Sequence, residues 1–210
     1  GGFALAKSAV SEILNQPIHF VILADFSGFE KVIDLLGGVD VEVQHAFEDR
    51  LFPVPGKEAD PCEACRYETI RFEAGVVHMT GQTALKYVRS RNAEGEEGTD
   101  FARSARQQQL IKAVKTKILK DKLYLNQQLV RQGLTMLPGL VKTDIKTDQY
   151  WALVQLAWHL RKTEIRTGNL EPLLYNPPLS RSQDMQWVLL PKDNDPKAIY
   201  EFVTQLLNQK

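Results

Sequence analysis

The amino-acid sequence predicts an α/β protein, and the succession of patterns in its first 44 residues carries that prediction. A helical spacing of apolar residues over 4–16 precedes a nearly continuous apolar run over 18–25, which is typical of a strand covered on both faces. A second helical spacing over 26–38 ends at two glycines, and residues 39–44 alternate with the period of a strand. Helix, buried strand, helix and half-exposed strand in succession indicate the α/β class.

The rest of the chain continues this mixture of elements. Strands are predicted over 67–72 and 185–191, and helices over 80–89, 99–120, 124–137, 147–160 and 195–209. Residues 46–66 are rich in proline and are predicted to form a long loop. No repeat and no linker-like shift in composition divides the chain, so we expect a single domain over 1–210.

Composition and charge exclude several classes of protein. The chain has 26 basic and 26 acidic side chains, and 43% of its residues are hydrophobic, as in an ordinary globular domain. Nucleic-acid-binding domains usually carry a basic excess, so we expect no nucleic-acid partner. No apolar run approaches the roughly 18 residues that span a bilayer. Because the chain starts without Met, we interpret it as a fragment of a longer protein.

Four arginines lie close together in the sequence around an acidic, glycine-containing loop: Arg89, Arg91, Arg103 and Arg106. In a helix that begins near Thr99, steps of three and four place Asp100, Arg103 and Gln107 on the face that continues as the apolar stripe. A charged side chain toward the core is costly unless it is paired. The spacing therefore predicts a polar pocket at the start of this helix.

Arg89 and Arg91 supply the other half of the predicted pocket. If the chain is extended there, side chains two residues apart face the same side. A helix N-terminus presents free N–H groups, and each guanidinium can bind two phosphate oxygens. The residues therefore predict a phosphate or pyrophosphate site, with Arg106 at its edge as a further contact. For each arginine, the alternative is a solvated ion pair with a glutamate of the loop.

The two cysteines form a Cys-x-x-Cys pair, Cys62 and Cys65, inside the proline-rich segment. Two thiols cannot complete a structural zinc site, which needs about four ligands. A redox motif of the thioredoxin type would lie between a strand and a helix, not in a long loop. We expect a local disulfide, with two free thiols as the alternative.

Three blocks of the sequence carry a resemblance to a known family. They are "FEKVIDLLGGVDVEV", "FEAGVVHMTGQTALKYVRSR" and, after an acidic loop, "GTDFARSARQQQLIKAV". In this order they resemble the signature blocks of the LytR–CpsA–Psr family of bacterial cell-envelope proteins. The resemblance covers residues 1–119, and residues 120–210 agree more loosely. It implies a three-layer α/β/α arrangement around a central mixed sheet.

The resemblance also implies a function. Family members transfer a glycopolymer, such as a teichoic acid or a capsular polysaccharide, from a polyprenyl-pyrophosphate carrier onto peptidoglycan. It implies that Arg89, Arg91, Asp100 and Arg103 form the catalytic group, with Asp100 orienting the arginines. Gln107 is then a substrate contact, Mg²⁺ bridges the pyrophosphate, and the prenyl chain occupies an apolar tunnel between sheet and helices.

The chain departs from the family pattern at its start. In the family, the magnesium-binding aspartates and the transmembrane anchor precede the segment that corresponds to residue 1. We therefore expect the metal ligands upstream of this chain, and a protein that works outside the cell at the membrane surface. One alternative is a non-catalytic module that binds polyprenyl phosphate. A DNA-binding regulator is disfavoured by the neutral charge and by the lack of a recognisable helix-turn-helix.

Overall fold

A computed structural model describes residues 2–178 and 188–208. The chain divides into two compact units. The central unit is Leu23–Lys142, and the terminal unit combines Gly1–Ile22 with Thr143–Lys210. No helix among the described residues combines the length and the apolar composition that crossing a membrane would require.

Helices and strands are both distributed along the described chain. The helices are α1 (Phe3–Leu14), α2 (Phe26–Leu35), α3 (Gly81–Arg89), α4 (Asp100–Lys120), α5 (Gln127–Leu140), α6 (Tyr150–His159) and α7 (Lys197–Asn208). The strands are β1 (Ile22–Ala24), β2 (Val39–Val43), β3 (Phe47–Pro53), β4 (Tyr67–Phe72), β5 (Gly75–Met79), β6 (Val141–Thr143), β7 (Leu174–Tyr175) and β8 (Leu190–Pro191).

Two antiparallel strand pairs form the framework of the central unit. β2 pairs with β5, from Val39 opposite Met79 to Val43 opposite Gly75. β3 pairs with β4 from Phe47 opposite Phe72, and the register shifts between Asp49 and Phe52. Every second residue of β2 is buried, as the alternating sequence predicts.

The core of the central unit lies between these strand pairs and the helices α2, α3 and α4. Three aromatic rings pack together at its centre. The rings of Phe47 and Phe72 stack with centroids 5.2 Å apart, and Tyr87 meets Phe72 edge-on at 5.1 Å. Burial of a large apolar side chain stabilises a fold by about 1.5–3 kcal/mol. The core residues around the rings are Ile33, Val39, Val41, Val43, Phe52, Ile70, Met79, Ala84, Val88, Ala93 and Leu110.

The terminal unit is held partly by polar contacts. Lys7 Nζ lies 2.5 Å from a carboxylate oxygen of Asp144, whose other oxygen accepts a hydrogen bond from the Val21 amide at 2.8 Å. The lysine lowers the pKa of Asp144 below its usual range. Trp151 and Trp158 on α6 are exposed among the described residues.

The α/β class is confirmed, with specific differences from the sequence-based elements. Within residues 2–178 and 188–208, the strands pair two by two in small sheets rather than in one continuous central sheet. The buried strand predicted over 18–25 is short and exposed, because an apolar run indicates burial only where other elements cover it. Most of the strand predicted over 185–191 lies outside the described residues. A single domain over 1–210 stays a prediction.

The segment predicted to be a loop contains a strand and a disulfide. β3 occupies its first part, and Cys62 and Cys65 are joined by a disulfide in its exposed second part. Proline stands at the end of β3, where it does not interrupt the strand pairing. The proline-rich composition therefore indicated the loop in the second half of the segment, but it concealed the strand in the first half.

Candidate functional site

The candidate site begins where α3 ends. Thr80 caps the helix by accepting a hydrogen bond from the Thr83 amide, and the helix runs to Arg89. Ser90 leaves the helix with an extended backbone (φ −53°, ψ 133°), and its side chain is buried. Arg89 is the last residue of the helix, and Arg91 follows Ser90 on the segment that leaves it. The side chain of Arg91 is 61% exposed.

The first turns of α4 form the other half of the site. Thr99 caps this helix by accepting a hydrogen bond from the Ala102 amide at 3.1 Å. Asp100 lies in the first turn, at the positive end of the helix dipole. Gln107 Nε2 donates to the Val88 carbonyl at 3.5 Å, which joins this face of α4 to the last turn of α3. The predicted face of α4 thus lies against the segment that carries the other arginines.

Asp100 lies between two of the predicted site arginines. Its Oδ1 is 3.1 Å from Arg103 Nη2 and 3.5 Å from Arg91 Nε. All three side chains are partly exposed, and such ion pairs contribute only about 0–1 kcal/mol to stability. The consequence of this geometry is orientation: one carboxylate oxygen brings guanidinium groups from two different elements together.

Arg89 is held by aromatic rings. Its guanidinium carbon lies 4.2 Å from the centroid of the Phe26 ring and 5.6 Å from that of Phe52. Within the part of the chain that the structure describes, Arg89 makes no hydrogen bond or ion pair. The face of a ring attracts a cation without occupying its N–H donors. Arg89 is therefore oriented while its donors remain available to a ligand.

Arg106 is placed differently from its prediction. The side chain is 2% exposed, with the guanidinium 4.7 Å from the Phe47 centroid. Nε donates to the Tyr87 carbonyl at 3.1 Å and Nη2 to the Ser90 carbonyl at 2.7 Å. Nη1 donates to the carbonyl and the carboxylate of Glu97 at 2.9 and 2.7 Å. All three nitrogens are thus engaged, which corrects the prediction that Arg106 contacts the substrate.

The Arg106 network crosslinks the end of α3 to the acidic loop before α4. Burial lowers the pKa of Arg106, and the nearby Glu97 carboxylate opposes that change. Burial also raises the pKa of the Tyr87 hydroxyl to about 12. A buried ion pair of this kind is costly to break on one side only, because the remaining charge stays unpaired. Arg106 therefore acts on the site through the backbone.

Asp49 on β3 is a polar residue of this region that the sequence analysis missed. It is fully buried. Its Oδ2 accepts hydrogen bonds from the Ser90 hydroxyl at 2.7 Å and from the amides of Arg91 and Asn92, both at 3.2 Å. Its Oδ1 accepts from the Leu51 amide at 3.0 Å. The buried carboxylate thereby accepts four hydrogen bonds, three of them from the chain segment that carries the arginines.

A signal for Asp49 is present in the sequence. Phe47 and Asp49 are two residues apart, so a strand directs both side chains to the same face. An acidic residue on the face of a buried phenylalanine needs internal partners. The proline-rich composition of residues 46–66 predicted a loop and concealed this alternation.

An apolar cavity of about 190 Å³ lies between α2 and α5 in the central unit. Its lining is Val32, Leu35, Leu36, Leu129, Gly133, Met136 and Leu140. Leu140 also approaches the first turn of α2, where a Cβ on Gly28 would lie 2.8 Å from the Leu140 carbonyl oxygen. Phe26, which stacks with Arg89, belongs to the same turn. On α2 the cavity is lined by the second half of the helix, and its lining residue Leu140 lies beside the first turn, which bears Phe26.

The described residues do not fit a resident magnesium ion. Mg²⁺ prefers several carboxylate or water oxygens in octahedral geometry. Among residues 2–178 and 188–208, no three His, Cys, Asp or Glu side chains come together as a metal site. Asp100 is shared between two arginines, and Asp25 Oδ1 accepts the Gly28 amide at 2.6 Å.

Known proteins are similar to this chain over most of its length. The chain is 30% identical over 149 residues to polyisoprenyl-teichoic acid–peptidoglycan teichoic acid transferase TagU of Bacillus cereus. That match covers 71% of this chain and 41% of TagU, so the chain spans less than half the length of this relative.

Solved structures show the same fold at lower identity. The crystal structure of Bacillus subtilis TagV has a TM-score of 0.61 and 24% identity, covering 100% of this chain and 72% of TagV. A structure of TagT bound to LI-WTA has a TM-score of 0.58 and 19% identity, covering 99% of this chain and 67% of TagT.

The family model described as the LytR_cpsA_psr family matches residues 1–184, which include both arginine-bearing segments and the helices that form the cavity. This match covers well over half of the sequence. The chain belongs to the LytR–CpsA–Psr family.

Proposed function

We propose that this chain forms part of a phosphotransferase that moves a polyprenyl-pyrophosphate-linked glycopolymer onto peptidoglycan. The observation that carries the proposal is the state of Arg89, Arg91 and Arg103. Arg89 is held by rings, and the other two share one carboxylate oxygen. Their remaining N–H donors are available to oxygen ligands beside the N-terminus of α4. Clustered guanidiniums of this kind match the clustered charge of a pyrophosphate.

The arginines have a chemical role in this proposal. An acceptor hydroxyl of peptidoglycan attacks the phosphorus that carries the glycopolymer, and its proton passes to water. The bond from that phosphorus to the bridging oxygen breaks, and polyprenyl phosphate leaves. Negative charge develops on the leaving phosphate, where Arg89, Arg91 and Arg103 stabilise it. Asp100 keeps Arg91 and Arg103 oriented, and Gln107 adds a polar contact beside them.

The cavity gives the lipid part of the substrate a place. Its lining is apolar, and its residue Leu140 also lies beside the turn of α2 whose Phe26 ring faces Arg89. A prenyl chain in this cavity would leave its pyrophosphate near the arginines. Because the remainder of such a lipid lies in a bilayer, we propose that the protein works at the membrane surface on the outside of the cell. The names of TagU and TagV, which refer to teichoic acid and peptidoglycan, support this location.

Magnesium remains a separate proposal for this reaction. Bound to the pyrophosphate, Mg²⁺ would neutralise oxygens that the arginines do not pair. Since the described residues do not form its site, we assign it no ligand and no step.

Binding of a phosphorylated lipid is the first test. Isothermal titration calorimetry would compare inorganic pyrophosphate with a short-chain prenyl pyrophosphate, and we expect the prenyl compound to bind more tightly. Arg103→Ala should weaken both by at least about 1.5 kcal/mol, the range for a charge-assisted hydrogen bond. Arg103→Lys should recover part of this, because Lys keeps the charge without the planar fork.

A surface arginine of the same unit provides the control. Arg71 is 69% exposed and pairs with Glu48, so Arg71→Ala should leave both affinities unchanged. Equal affinities of Arg103→Ala and wild type would overturn the pyrophosphate site. A transfer assay with a lipid-linked glycopolymer, peptidoglycan and Mg²⁺ then distinguishes a phosphotransferase from a non-catalytic module that binds polyprenyl phosphate. Tight binding without transfer would favour the non-catalytic binding module.

A further inference from the structure

Asp49 is a buried carboxylate that the proposed chemistry does not use. Its desolvation costs several kcal/mol unless hydrogen bonds compensate for it. Four donors do so: the Ser90 hydroxyl and the amides of Leu51, Arg91 and Asn92. Three of these four belong to the segment that leaves α3 and carries the site arginines. An apolar residue at this position would need no such compensation, so the carboxylate calls for a role of its own.

The bonds of Asp49 hold the backbone at one place. Ser90 is fixed through its hydroxyl by Asp49 and through its carbonyl by Arg106 Nη2 at 2.7 Å. The next peptide group donates its Arg91 N–H to the same carboxylate oxygen, and an isolated bridge joins Asp49 to Ala93. Arg91 therefore stands on a backbone that is bonded on both sides of its Cα, while its own side chain is 61% exposed.

We propose that Asp49 is a positioning residue of the anion site, which holds the backbone from which Arg91 reaches a pyrophosphate. The inference rests on the proposed function, because it assigns Asp49 an effect on that ligand. A long side chain on a fixed backbone loses less freedom when it binds than one on a mobile loop. Asp49 acts through Arg91 and does not itself touch the ligand.

Charge and position give opposite expectations for Asp49→Asn. If Asp49 acted only as a negative charge near the site, its removal would strengthen binding of an anion. If Asp49 positions Arg91, the variant weakens binding, because the amide of Asn presents N–H donors where the amides of Arg91 and Asn92 need an acceptor. The direction of the change therefore separates the two roles before its size is considered.

The test is titration of the whole chain with inorganic pyrophosphate, together with a double-mutant cycle. Asp49→Asn should weaken binding by about tenfold, comparable to loss of one bond to a charged group. In an Arg91→Ala background, the same substitution should change affinity by less than about twofold, since coupled residues are not additive. In an Arg103→Ala background, its effect should persist in full.

A matched control separates positioning from stability. Asp34 Oδ1 accepts the Gly81 amide at 2.7 Å at the other end of α3, so Asp34→Asn weakens a similar bond away from the arginines by removing the charge of its acceptor. Thermal melts would show each variant's loss of stability, and titration well below the melting temperature would show its affinity. We expect Asp34→Asn to melt earlier than wild type and to bind pyrophosphate equally well.

A milder variant covers the case in which Asp49→Asn does not fold. Ser90→Ala removes only the hydroxyl that Asp49 accepts, and should weaken binding by about threefold with the same dependence on Arg91. If wild type binds pyrophosphate while Asp49→Asn and Ser90→Ala bind as tightly or more tightly, the positioning role is overturned and the anion site stands. If wild type does not bind, the proposed function is overturned together with this inference.

Discussion

Two arginines one turn apart on α4 have opposite surroundings. Arg106 is 2% exposed, and all three of its nitrogens donate to carbonyls or to the Glu97 carboxylate. Arg103 is 29% exposed and, among the residues that the structure describes, makes an ion pair with Asp100 alone. Both belong to one short block of sequence and one helix. The difference shows that this cluster contains a buried structural arginine beside partly exposed arginines, which only their partners distinguish.

The contrast extends to the neighbouring segments. Asp49 and Arg106 hold the backbone at Ser90 from two sides, and Arg91 stands on that backbone facing outward. Preorganised donors contribute more to catalysis than mobile ones, because they need no reorganisation during the reaction. The buried hydrogen bonds of Asp49 and Arg106 thus hold the backbone that carries the exposed side chain of Arg91.

The largest expected effect comes from the buried arginine. Arg106→Ala should lower the free energy of unfolding by about 3 kcal/mol or more, because it leaves the Glu97 carboxylate and three carbonyls without this partner. Arg103→Ala should change it by less than about 0.5 kcal/mol, as expected for a partly exposed side chain. Urea unfolding of both variants measures the difference. Equal stabilities would break the comparison, since Arg106 would then be dispensable to the fold.

The cavity can be filled without touching any arginine. Gly133 lines it, and a Cβ there meets Leu35 at an ordinary 3.7 Å, so the further atoms of Gly133→Leu enter the cavity. This variant should remove most of the advantage of a prenyl pyrophosphate over inorganic pyrophosphate, at least about tenfold at about 0.8 kcal/mol per buried methylene.

Another glycine of the same helix provides the control for this experiment. A Cβ on Gly139 meets nothing within 4 Å, so Gly139→Leu should bind both ligands as wild type does. Unchanged prenyl affinity in Gly133→Leu would place the lipid elsewhere.

The ring beneath Arg89 should have a smaller effect. Phe26 is 56% exposed, and an exposed cation–π contact is worth about 0.5–1 kcal/mol. Phe26→Ala should therefore weaken pyrophosphate binding by a few-fold, roughly two to five times. Phe26→Trp should retain affinity, because Trp offers the better ring face. Identical affinities for Ala and Trp at this position would show that the ring does not orient Arg89.

The last expected effect is on the stability of the fold at alkaline pH. Burial raises the pKa of Tyr87 to about 12, above the value of about 10 for an exposed tyrosine. Its contribution to stability is therefore fully present below about pH 10 and is lost as the pH rises toward about 12. Tyr87→Phe keeps the ring in the core and should lose less stability than wild type over that interval. Parallel melting curves across the interval would contradict the burial of the hydroxyl.

Much of the site was predictable from spacing, and the remainder depended on contacts between distant segments. Steps of three and four along α4 predicted that Asp100 and Arg103 share a face, which the structure places beside Arg91. The burial of Arg106 was not predictable in this way, because it depends on Glu97 and on the carbonyls at the end of α3. A helical period gives a direction around one helix, not what another segment brings to it.

The fold shows the same division. Strong local patterns predicted the bounds of β4 and α3 to within one residue, and they predicted the start of α4 near Thr99. β3 was missed because proline-rich composition outweighed its alternation, and Asp49 was missed with it. The apolar residues of α6 predicted a helix, yet Trp151 on it is 69% exposed among the described residues. Periodicity identifies an apolar face, but it does not identify what covers that face.

The division of roles within the cluster can be observed directly at the guanidinium groups. Two-dimensional NMR of arginine Nε–Hε groups, assigned with single Arg→Lys variants, would follow each side chain during titration with inorganic pyrophosphate. The signals of Arg89, Arg91 and Arg103 should shift together and saturate, while that of Arg106 should remain in place and exchange slowly with solvent. A saturating shift of Arg106 with the other three unmoved would contradict the account.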